Sequence, residues 1–403
     1  MNIAVSPELG QVEPTSERLP AGGRPARVEI FDDLKAAEPC WRALERRAAW
    51  ATPYQRYDLL AAWQHQVGAR KGVVPCVVVG FGEDGEPLFL WPFGSKRMGP
   101  VTIAGFLGSK HACFNVGLWR RDFVSAVRQQ DIRVAFARMA GAGVDLAVLL
   151  SQPLGWAGID NPFVFLRQQA SAEDGTFLSL EARGSAHSGG ARMGLSPQME
   201  SRLRIKEKKL SKLAGYRYIE ARSACDIDRL LDAFLRLKAV HLTTQGLPNV
   251  FAEPGVAGFL RQACHTRLPC GRQLIEIHAL EGGGEVLAAY GAIADDHRFS
   301  AMFNTYTLSP NARHSPGLIL ARHMLAACVE RGLRGFDLGV GRAHYKSFFC
   351  KESEPLFDAF LPLTRRGALA APVFRVTFAA KRMIKARPAL FAAVLRIRRW
   401  RAS

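Results

Sequence analysis

The chain has 403 residues, 48% of them hydrophobic and 22% charged, and its formal net charge is +18. This composition is typical of a globular protein with sizeable cores, and it excludes a wholly disordered, collagen-like or acidic solvating chain. The length favours two or three domains. The positive charge is unevenly placed, because residues 364–403 contain eleven Lys and Arg residues and no Asp or Glu. Much of the charge therefore belongs to one C-terminal segment.

The cysteines and the N-terminal residues indicate the cellular compartment. Eight cysteines are spread along the chain without a CxxC pair or a Cys/His cluster at metal-ligand spacing. This pattern favours a reduced, cytoplasmic protein without a metal. Residues 1–26 are rich in Pro, Gly and Glu, so we predict a disordered leader rather than a secretion signal. We also find no uncharged apolar run long enough to span a bilayer.

The predicted elements begin with a strand at residues 27–31, followed by a helix capped by Asp32 or Asp33 and a second helix at about residues 57–66. A hairpin pattern comes next, with two apolar runs on either side of a Gly-containing acidic turn, and the same arrangement returns about 200 residues later. The runs lie at 73–81 with 87–93, and at 273–280 with 286–293. Two helical patterns precede each hairpin, so we infer two copies of one α/β domain.

The domain boundaries follow from this repeat. We predict a leader at 1–26, a first domain at 27–167, a connector at 168–197, a second domain at 198–363 and a basic amphipathic tail at 364–403. The connector is rich in Gly, Ser and Ala and contains one short strand. The tail is predicted to form two helical pieces broken at Pro388. Its basic and aromatic residues suit an anionic membrane surface or, as an alternative, RNA, and a merely solvated tail is the third interpretation.

A basic amphipathic helix opens the second domain. Its apolar face carries Met199, Leu203, Leu210 and Leu213. Glu207 is the acidic residue opposing six bases: Arg202, Arg204, Lys206, Lys208, Lys209 and Lys212. Two interpretations stay open, a solvated face on a packed helix or a surface for an anionic substrate or nucleotide phosphate.

The segment from residue 299 to residue 349 predicts a strand, a loop, a helix and a second, buried strand. Ser315 suits the N-cap of the helix, Pro316 its first position, and Gly332 its end. Because the N-terminus of a helix offers free N–H groups, this turn suits a phosphate, and Arg313 adds a cation beside it. The alternative is a capping turn without a ligand.

The buried strand and the loop after it carry the candidate catalytic groups. Asp337 lies in an otherwise apolar strand, so we expect it to be paired, with Lys346 as a candidate partner, or to act in catalysis. Gly339 and Gly341 follow the strand, and Tyr345 precedes Lys346. Alternative roles are a packed aromatic for Tyr345 and a structural cation for Lys346.

Taken together, these motifs resemble the acetyltransferase-like family typified by CelD-type proteins of cellulose biosynthesis, which belongs to the GNAT superfamily and is related to FemAB-type peptidyltransferases. In the second half the matching residues are Ser315-Pro316-Gly317, Ala326, Glu330, Gly332, Phe336-Asp337, Gly339, Gly341 and Tyr345-Lys346. In the first half they are Tyr54-Gln55 and residues 59–63 and 106–115. The resemblance covers roughly residues 27–363.

The resemblance implies a fold and a donor site. The fold is a tandem pair of GNAT-like α/β domains, each a mixed central sheet flanked by helices, with the donor site in the second. The turn that holds acyl-CoA pyrophosphate maps onto Arg313, His314, Ser315 and Gly317. The usual Gln/Arg-x-x-Gly-x-Gly/Ala signature is absent, and FemAB-type relatives use aminoacyl-tRNA, so acetyl-CoA or another acyl-CoA and charged tRNA both remain as donors.

The reaction implied is acyl transfer to an amino group of a small molecule, an amino sugar or an envelope precursor such as an exopolysaccharide. Tyr345 would act as the acid, Lys346 would stabilise charge or contact donor phosphate, and Asp337 or His314 would act as base. The acceptor would bind at Lys110, His111 and Asn115 in the first domain, although an ordinary turn explains that cluster equally well. The competing interpretation is a non-catalytic GNAT-like protein bound to a membrane or RNA.

Overall fold

The computed structural model describes residues 24–180, 195–341 and 343–387. Most of the predicted leader, the middle of the connector and the last residues of the tail, with Pro388, lie outside the described residues. The α-helices of the described part are α1 (Leu34–Arg46), α2 (Tyr57–Trp63), α3 (Arg121–Val124), α4 (Gln129–Gly141), α5 (Pro197–Leu210), α6 (Ala224–Gln245), α7 (Val256–His265), α8 (Pro316–Glu330) and α9 (Arg365–Ala386).

The strands of the first half are β1 (Arg27–Phe31), β2 (Val74–Phe81), β3 (Pro87–Met98), β4 (Val101–Phe106), β5 (Leu118–Trp119), β6 (Leu146–Pro153), β7 (Gly155–Trp156), β8 (Ile159–Asp160), β9 (Gln169–Ala170) and β10 (Gly175–Ser179). Those of the second half are β11 (Arg217–Glu220), β12 (Glu276–Gly282), β13 (Glu285–Ala294), β14 (Arg298–Tyr306), β15 (Gly335–Asp337), β16 (Glu352–Glu354) and β17 (Leu356–Pro362). The two predicted hairpins are confirmed as β2–β3 and β12–β13.

In the described residues β7 and β8 pair with each other, and the other strands form two larger sheets of the same plan. The first has the order β1-β2-β3-β4-β6-β17-β9, with β5 paired to β3, and the second has the order β11-β12-β13-β14-β15-β10-β16. Each sheet contains one parallel pair, β4 with β6 and β14 with β15, among antiparallel neighbours. β14 pairs with β15 only from Arg298 to Ser300 and then runs on to Tyr306, so the sheet opens beyond that point.

The two halves exchange a strand, which the predicted boundaries do not anticipate. β17, assigned from the sequence to the second domain, pairs with β6 and completes the first sheet. β10, assigned to the connector, pairs with β15 and completes the second. β6 and β15 each have a parallel partner along one edge. The exchanged strand pairs with the other edge and supplies its backbone hydrogen bonds. Boundaries at residues 168 and 363 therefore do not separate the sheets.

The helices at the ends of the chain show how local signals act. The Asp33 carboxylate accepts from the backbone N–H groups of Lys35 and Ala36 and caps α1, as predicted. α2 is shorter than predicted, because a π-helical turn, Gln64–Gly68, follows it. α9 packs on the first sheet, where Ala371 lies in a cluster with Leu146 and Phe360. Within the described residues no helix is long and apolar enough to cross a membrane.

Candidate functional site

α5 is attached to α8 by ion pairs that fix the basic face outward. Ser196 caps α5 by accepting from the N–H of Met199, and Leu203 and Leu210 are buried in the second core. Arg322 on α8 reaches the carboxylates of Glu200, at 3.0 Å, and Glu207. Glu207, the acid that opposes the basic face, binds Arg322 and His323 of α8 and so holds α5 in place. Lys208 and Lys209 of α5 are exposed to solvent, whereas Lys206 is half-buried.

These lysines meet the turn before α8 around a surface depression. The depression has a volume of about 680 Å³ and is lined by Lys206, Lys209, Lys212, Leu213, Asn311, Arg313 and His314. None of these described lining residues is a carboxylate. Partial burial and the neighbouring cations, Arg313 first among them, lower the pKa of His314. The side chains and the N-terminus of α8 together create a strongly positive site that suits phosphate groups.

A second depression continues along α5. It has a volume of about 710 Å³, shares Lys206 and Lys209 with the first, and extends to Arg202 and Ser201. The described residues that line it include no Asp or Glu. The positive surface thus extends along most of the length of α5.

Ser315 does not cap α8 with its side chain, which corrects the sequence prediction. Its backbone lies in the left-handed region, at φ 55° and ψ 50°, and its hydroxyl accepts from Lys206 Nζ over 2.7 Å. The residue therefore joins α5 to the start of α8. A Cβ at Gly317 would meet only Tyr306 Cβ, at an ordinary 3.9 Å, so packing does not require this glycine. Its first-turn N–H remains suited to an anionic ligand.

Tyr345 lies at the opening between β14 and β15. It belongs to a short 3₁₀ helix, His344–Phe348, and its hydroxyl accepts from Asn304 Nδ2 over 2.6 Å. Burial raises the pKa of Tyr345, although hydrogen bonds from Asn304 and Tyr290 oppose the shift. The phenol therefore stays protonated at neutral pH, which is the state that a general acid requires.

Lys346 points the other way, into the protein. Its Nζ donates to the carbonyl oxygens of Val340, at 2.9 Å, and Gly339, at 3.2 Å. The side chain is buried, and burial lowers its pKa. An ammonium group has three donors, and two are used to fix the loop after β15. Backbone carbonyls therefore hold Lys346, whereas the sequence suggested Asp337 as its partner.

Asp337 has the contacts of a structural carboxylate. It is fully buried, with Oδ2 2.6 Å from Arg298 Nε and Oδ1 accepting from Ser300 Oγ and from the N–H of Gly339. Both oxygens are engaged in the interior, and no path leads from them to the basic depression through these contacts. This geometry favours a positioning role over the expected role of base. Gly339 has φ 78° and a Cβ there would meet Ala301 O at 2.6 Å, so only glycine fits.

Lys110, His111 and Asn115 each have a different partner in the structure. Lys110 forms an ion pair with Glu253, which also binds Lys71 at 2.7 Å and so joins the two halves. His111 Nδ1 accepts from Trp63 Nε1 over 3.0 Å. Asn115 is buried and donates to the carbonyl of Leu150. Their geometry therefore supports joining of elements more than binding of an acceptor.

Two groups near the site carry no local signal in the sequence. Lys238, on the face of α6 between Phe234 and His241, is partly buried, and burial and the charge of Lys346 lower its pKa. Tyr54 OH lies 2.8 Å from Ser300 Oγ and brings the first half against β14. Only contacts between distant segments reveal these roles. In the described part of the chain no group of three His, Cys, Asp or Glu residues is arranged to hold a metal ion.

Part of this sequence matches a protein family model, and solved structures align with this fold. Residues 198–347 match a family model described as an acetyltransferase (GNAT) domain, whereas no curated protein is significantly similar in sequence. FemX aligns over 86% of this chain and 99% of its own, with a TM-score of 0.54 and 8% identity. L-PGS from Bacillus licheniformis aligns over 91% and 100%, with a TM-score of 0.46 and 13% identity. A tandem GNAT protein from the clavulanic acid biosynthesis pathway aligns over 84% and 99%, with a TM-score of 0.42 and 10% identity.

Proposed function

We propose that the chain transfers an acyl group from an acyl-CoA to an amino group, because residues 198–347 match the acetyltransferase (GNAT) domain model and the fold is similar to that of FemX. The predicted α/β class, two mixed sheets flanked by helices, is confirmed. The observation that carries the proposal is the basic depression between α5 and the start of α8. Its five cationic or basic side chains converge where the family resemblance puts the donor phosphates: Lys206, Lys209, Lys212, Arg313 and His314.

The donor phosphates would be held by charge and by backbone N–H groups. Arg313 and the lysines of α5 supply charge-assisted hydrogen bonds, and the first turn of α8 supplies free N–H groups. Lys206 has a double task in this proposal, since its bond to Ser315 also fixes the turn. The ligand would run from this turn along β14 towards Asn304 and Tyr345.

The chemical step needs an amine without its proton, a donor to the carbonyl oxygen and an acid for the leaving group. The free amine attacks the thioester carbonyl and the C–N bond forms, the nitrogen then loses a proton to solvent water, the C–S bond breaks, and Tyr345 would protonate the departing thiolate. Asn304 orients that phenol through its hydrogen bond. Lys346, in the same 3₁₀ helix, points inward and uses two of its three donors on the loop after β15. In this proposal only its third donor is therefore left for negative charge at the carbonyl oxygen or on donor phosphate. The acceptor we propose is a small amine, an amino sugar or an envelope precursor.

A second donor class is favoured by one observation, the length of the positive surface. The two depressions extend from Arg202 on α5 to Lys212, two residues beyond the end of that helix, which is more than one pyrophosphate requires. An aminoacyl-tRNA, the donor of the FemAB-type proteins that the motifs resemble, offers a row of phosphates to such a surface. In that case the leaving group would be a ribose oxygen, and Tyr345 would have the same task.

The test compares donors on the purified full-length chain. Acetyl-CoA, longer acyl-CoAs and charged tRNA are each added, and the rise in Tm and the release of free thiol or uncharged tRNA are measured. We expect one donor class to raise the Tm and to be consumed in the presence of amines. A donor that binds but is never consumed would favour the non-catalytic alternative, and no binding by any donor would contradict the proposal.

A charge variant locates the donor. Lys209→Gln, Lys212→Gln and Arg313→Gln combined should raise the KM or Kd for the donor by about 10- to 100-fold, because three charge-assisted contacts are lost. These side chains are exposed, so the fold should be unaffected. Lys208→Gln is the matched control, since this exposed lysine on the same helix lines neither depression. Equal donor binding by the triple variant and the control would show that the donor binds elsewhere.

A further inference from the structure

α9 presents apolar side chains on two opposite faces. The inner face packs on the first sheet, where Ala371 is buried and Phe374 and Phe378 join a cluster with Val148 and Phe360. The helix is fixed at its start by Thr364, whose hydroxyl bonds Asp145 over 2.5 Å and accepts from the N–H of Gly367. The predicted tail is therefore, over residues 365–386, an integral helix of the first domain rather than an appendage.

The outer face carries an exposed aliphatic stripe. Leu369 is 82% exposed, Val373 64%, Val376 69% and Met383 49%. Their spacing of four, three and seven residues places them along one side of a helix. Burying a large aliphatic side chain is favourable by about 1.5–3 kcal/mol, so four of them in line on the surface indicate a surface that binds something.

The charge of α9 restricts what can cover the stripe. The helix contains six bases and no acid: Arg365, Arg366, Arg375, Lys381, Arg382 and Lys385. A second copy of the same helix would bring like charges together and is disfavoured. A nucleic acid would meet the charge but would gain nothing from exposed aliphatic side chains, since bases stack on aromatic ones. An anionic lipid surface satisfies both features, because acyl chains accept the stripe and headgroups the bases.

We propose that the outer face of α9, defined by Leu369, Val373, Val376 and Met383 with its flanking bases, docks on an anionic bilayer surface. The proposal does not depend on the identity of the acyl donor. It would place the site near the membrane, because Lys385 Nζ lies 2.7 Å from Glu173 Oε2. Glu173 in turn lies against Gly341, which follows the strand that carries Asp337. The end of the docking helix is thus connected to the loop that Lys346 fixes.

The experiment measures sedimentation of the full-length protein with vesicles of phosphatidylglycerol and phosphatidylcholine, and with vesicles of phosphatidylcholine alone. We expect binding to the anionic vesicles that weakens as salt is added. The triple variant Leu369→Ser, Val373→Ser and Val376→Ser should lower the partition coefficient by about tenfold or more. Arg375→Gln with Arg382→Gln should reduce the preference for the anionic lipid and leave the weak binding to phosphatidylcholine unchanged.

The matched control is Val134→Ser, because Val134 is also exposed, at 45%, but lies on a different helix, α4. It should sediment like the unmodified chain, and all variants should keep its Tm because the changed side chains face solvent. Deletion of α9 is unsuitable as a test, because it would uncover the cluster beneath the helix. Absence of vesicle binding, or equal binding by the triple variant, would overturn the proposal. So would a dimer that the triple variant converts to a monomer, or tRNA binding that only the triple variant loses.

Discussion

Arg298 and Asp337 form a buried ion pair at the junction of the two halves, with Nε 2.6 Å from Oδ2. The guanidinium also reaches Glu354 on β16, at 2.7 Å, and burial is outweighed by these two carboxylates, so the pKa of Arg298 is raised. Its planar group lies 4.4–4.8 Å from the ring centroids of Phe114, Trp156 and Phe177. One side chain therefore joins β14, β15 and β16 to aromatic residues of the first half and of β10.

This arrangement predicts a large loss of stability when one partner is removed. Arg298→Met should lower the free energy of unfolding by about 3–5 kcal/mol, because it leaves Asp337 charged and unpaired in the interior. Adding Asp337→Asn to that variant should recover part of the loss, since the buried charge is then removed as well. Denaturant unfolding of both single variants and the double variant measures the coupling. Additive losses in the double variant would show that the two residues do not interact energetically.

Tyr345→Phe tests the acid. The change removes the hydroxyl that accepts from Asn304 and leaves the packed ring, so the Tm should change little. We expect kcat to fall by about 10²–10⁴-fold, the range for loss of a general acid, with a much smaller change in donor KM. Tyr216→Phe is the control, because its hydroxyl bonds Glu207 on α5 and not the opening of the sheet. Unchanged kcat in Tyr345→Phe would assign the proton to another group.

Lys346→Met removes a buried cation that fixes a loop and, in our proposal, stabilises charge in the reaction. Two carbonyl oxygens lose their donor, so we expect a loss of about 1–3 kcal/mol in the free energy of unfolding and a fall in kcat of at least about 100-fold. Lys346→Arg should restore much of the stability but little of the rate. The exposed neighbour Lys351→Met serves as the control. If the rate recovers together with stability, the role of Lys346 is structural.

Two buried groups predict separate losses of stability in acid. Burial lowers the pKa of His111 from 6.5 to about 4. The contribution of this neutral imidazole to the free energy of unfolding is therefore complete above pH 6.5 and is lost as the pH falls towards 4. Hydrogen bonds from His278 and Arg331 outweigh burial and lower the pKa of Glu276 from 4.5 to about 2. Its contribution is present above pH 4.5 and is lost between 4.5 and 2.

Denaturant unfolding across this pH range separates the two groups. His111→Gln should reduce the loss of unfolding free energy between pH 6.5 and 4, and Glu276→Gln the loss between pH 4.5 and 2. Each reduction should be on the order of 1–3 kcal/mol. His65→Gln, which changes an exposed histidine two residues after Trp63, is the control. A curve for His111→Gln parallel to that of the unmodified chain would show that this imidazole does not titrate on unfolding.

Local signals in the sequence were sufficient for most elements. Asp33 caps α1, Pro316 opens α8 and the two Gly-containing turns form hairpins, because each depends on backbone geometry within a few residues. The same signals were misleading at Ser315. Serine suits an N-cap, but the Ser315 hydroxyl instead accepts a hydrogen bond from Lys206, more than 100 residues earlier in the chain.

Residue type alone also located the candidate site without fixing its internal partners. The alternation of bases on α5 and the turn at Arg313 indicated an anion site, and the depression between them agrees with that expectation. Asp337 was recognised as a buried acid that needs a partner, yet its partner is Arg298 and not the nearby Lys346. A buried charge must be neutralised, but which cation neutralises it depends on how strands lie side by side.

By itself the sequence determined the repeat, the class of the fold and the basic character of α5 and α9, since hydrophobic period, turn residues and charge are properties of short segments. Only the tertiary structure decided that β17 joins the first sheet and β10 the second, because an apolar strand pairs equally well with any open edge. It also decided that Phe374 faces the core while Leu369 faces solvent. Apolar residues lie all around α9, so the packed face depends on the surface that the helix meets.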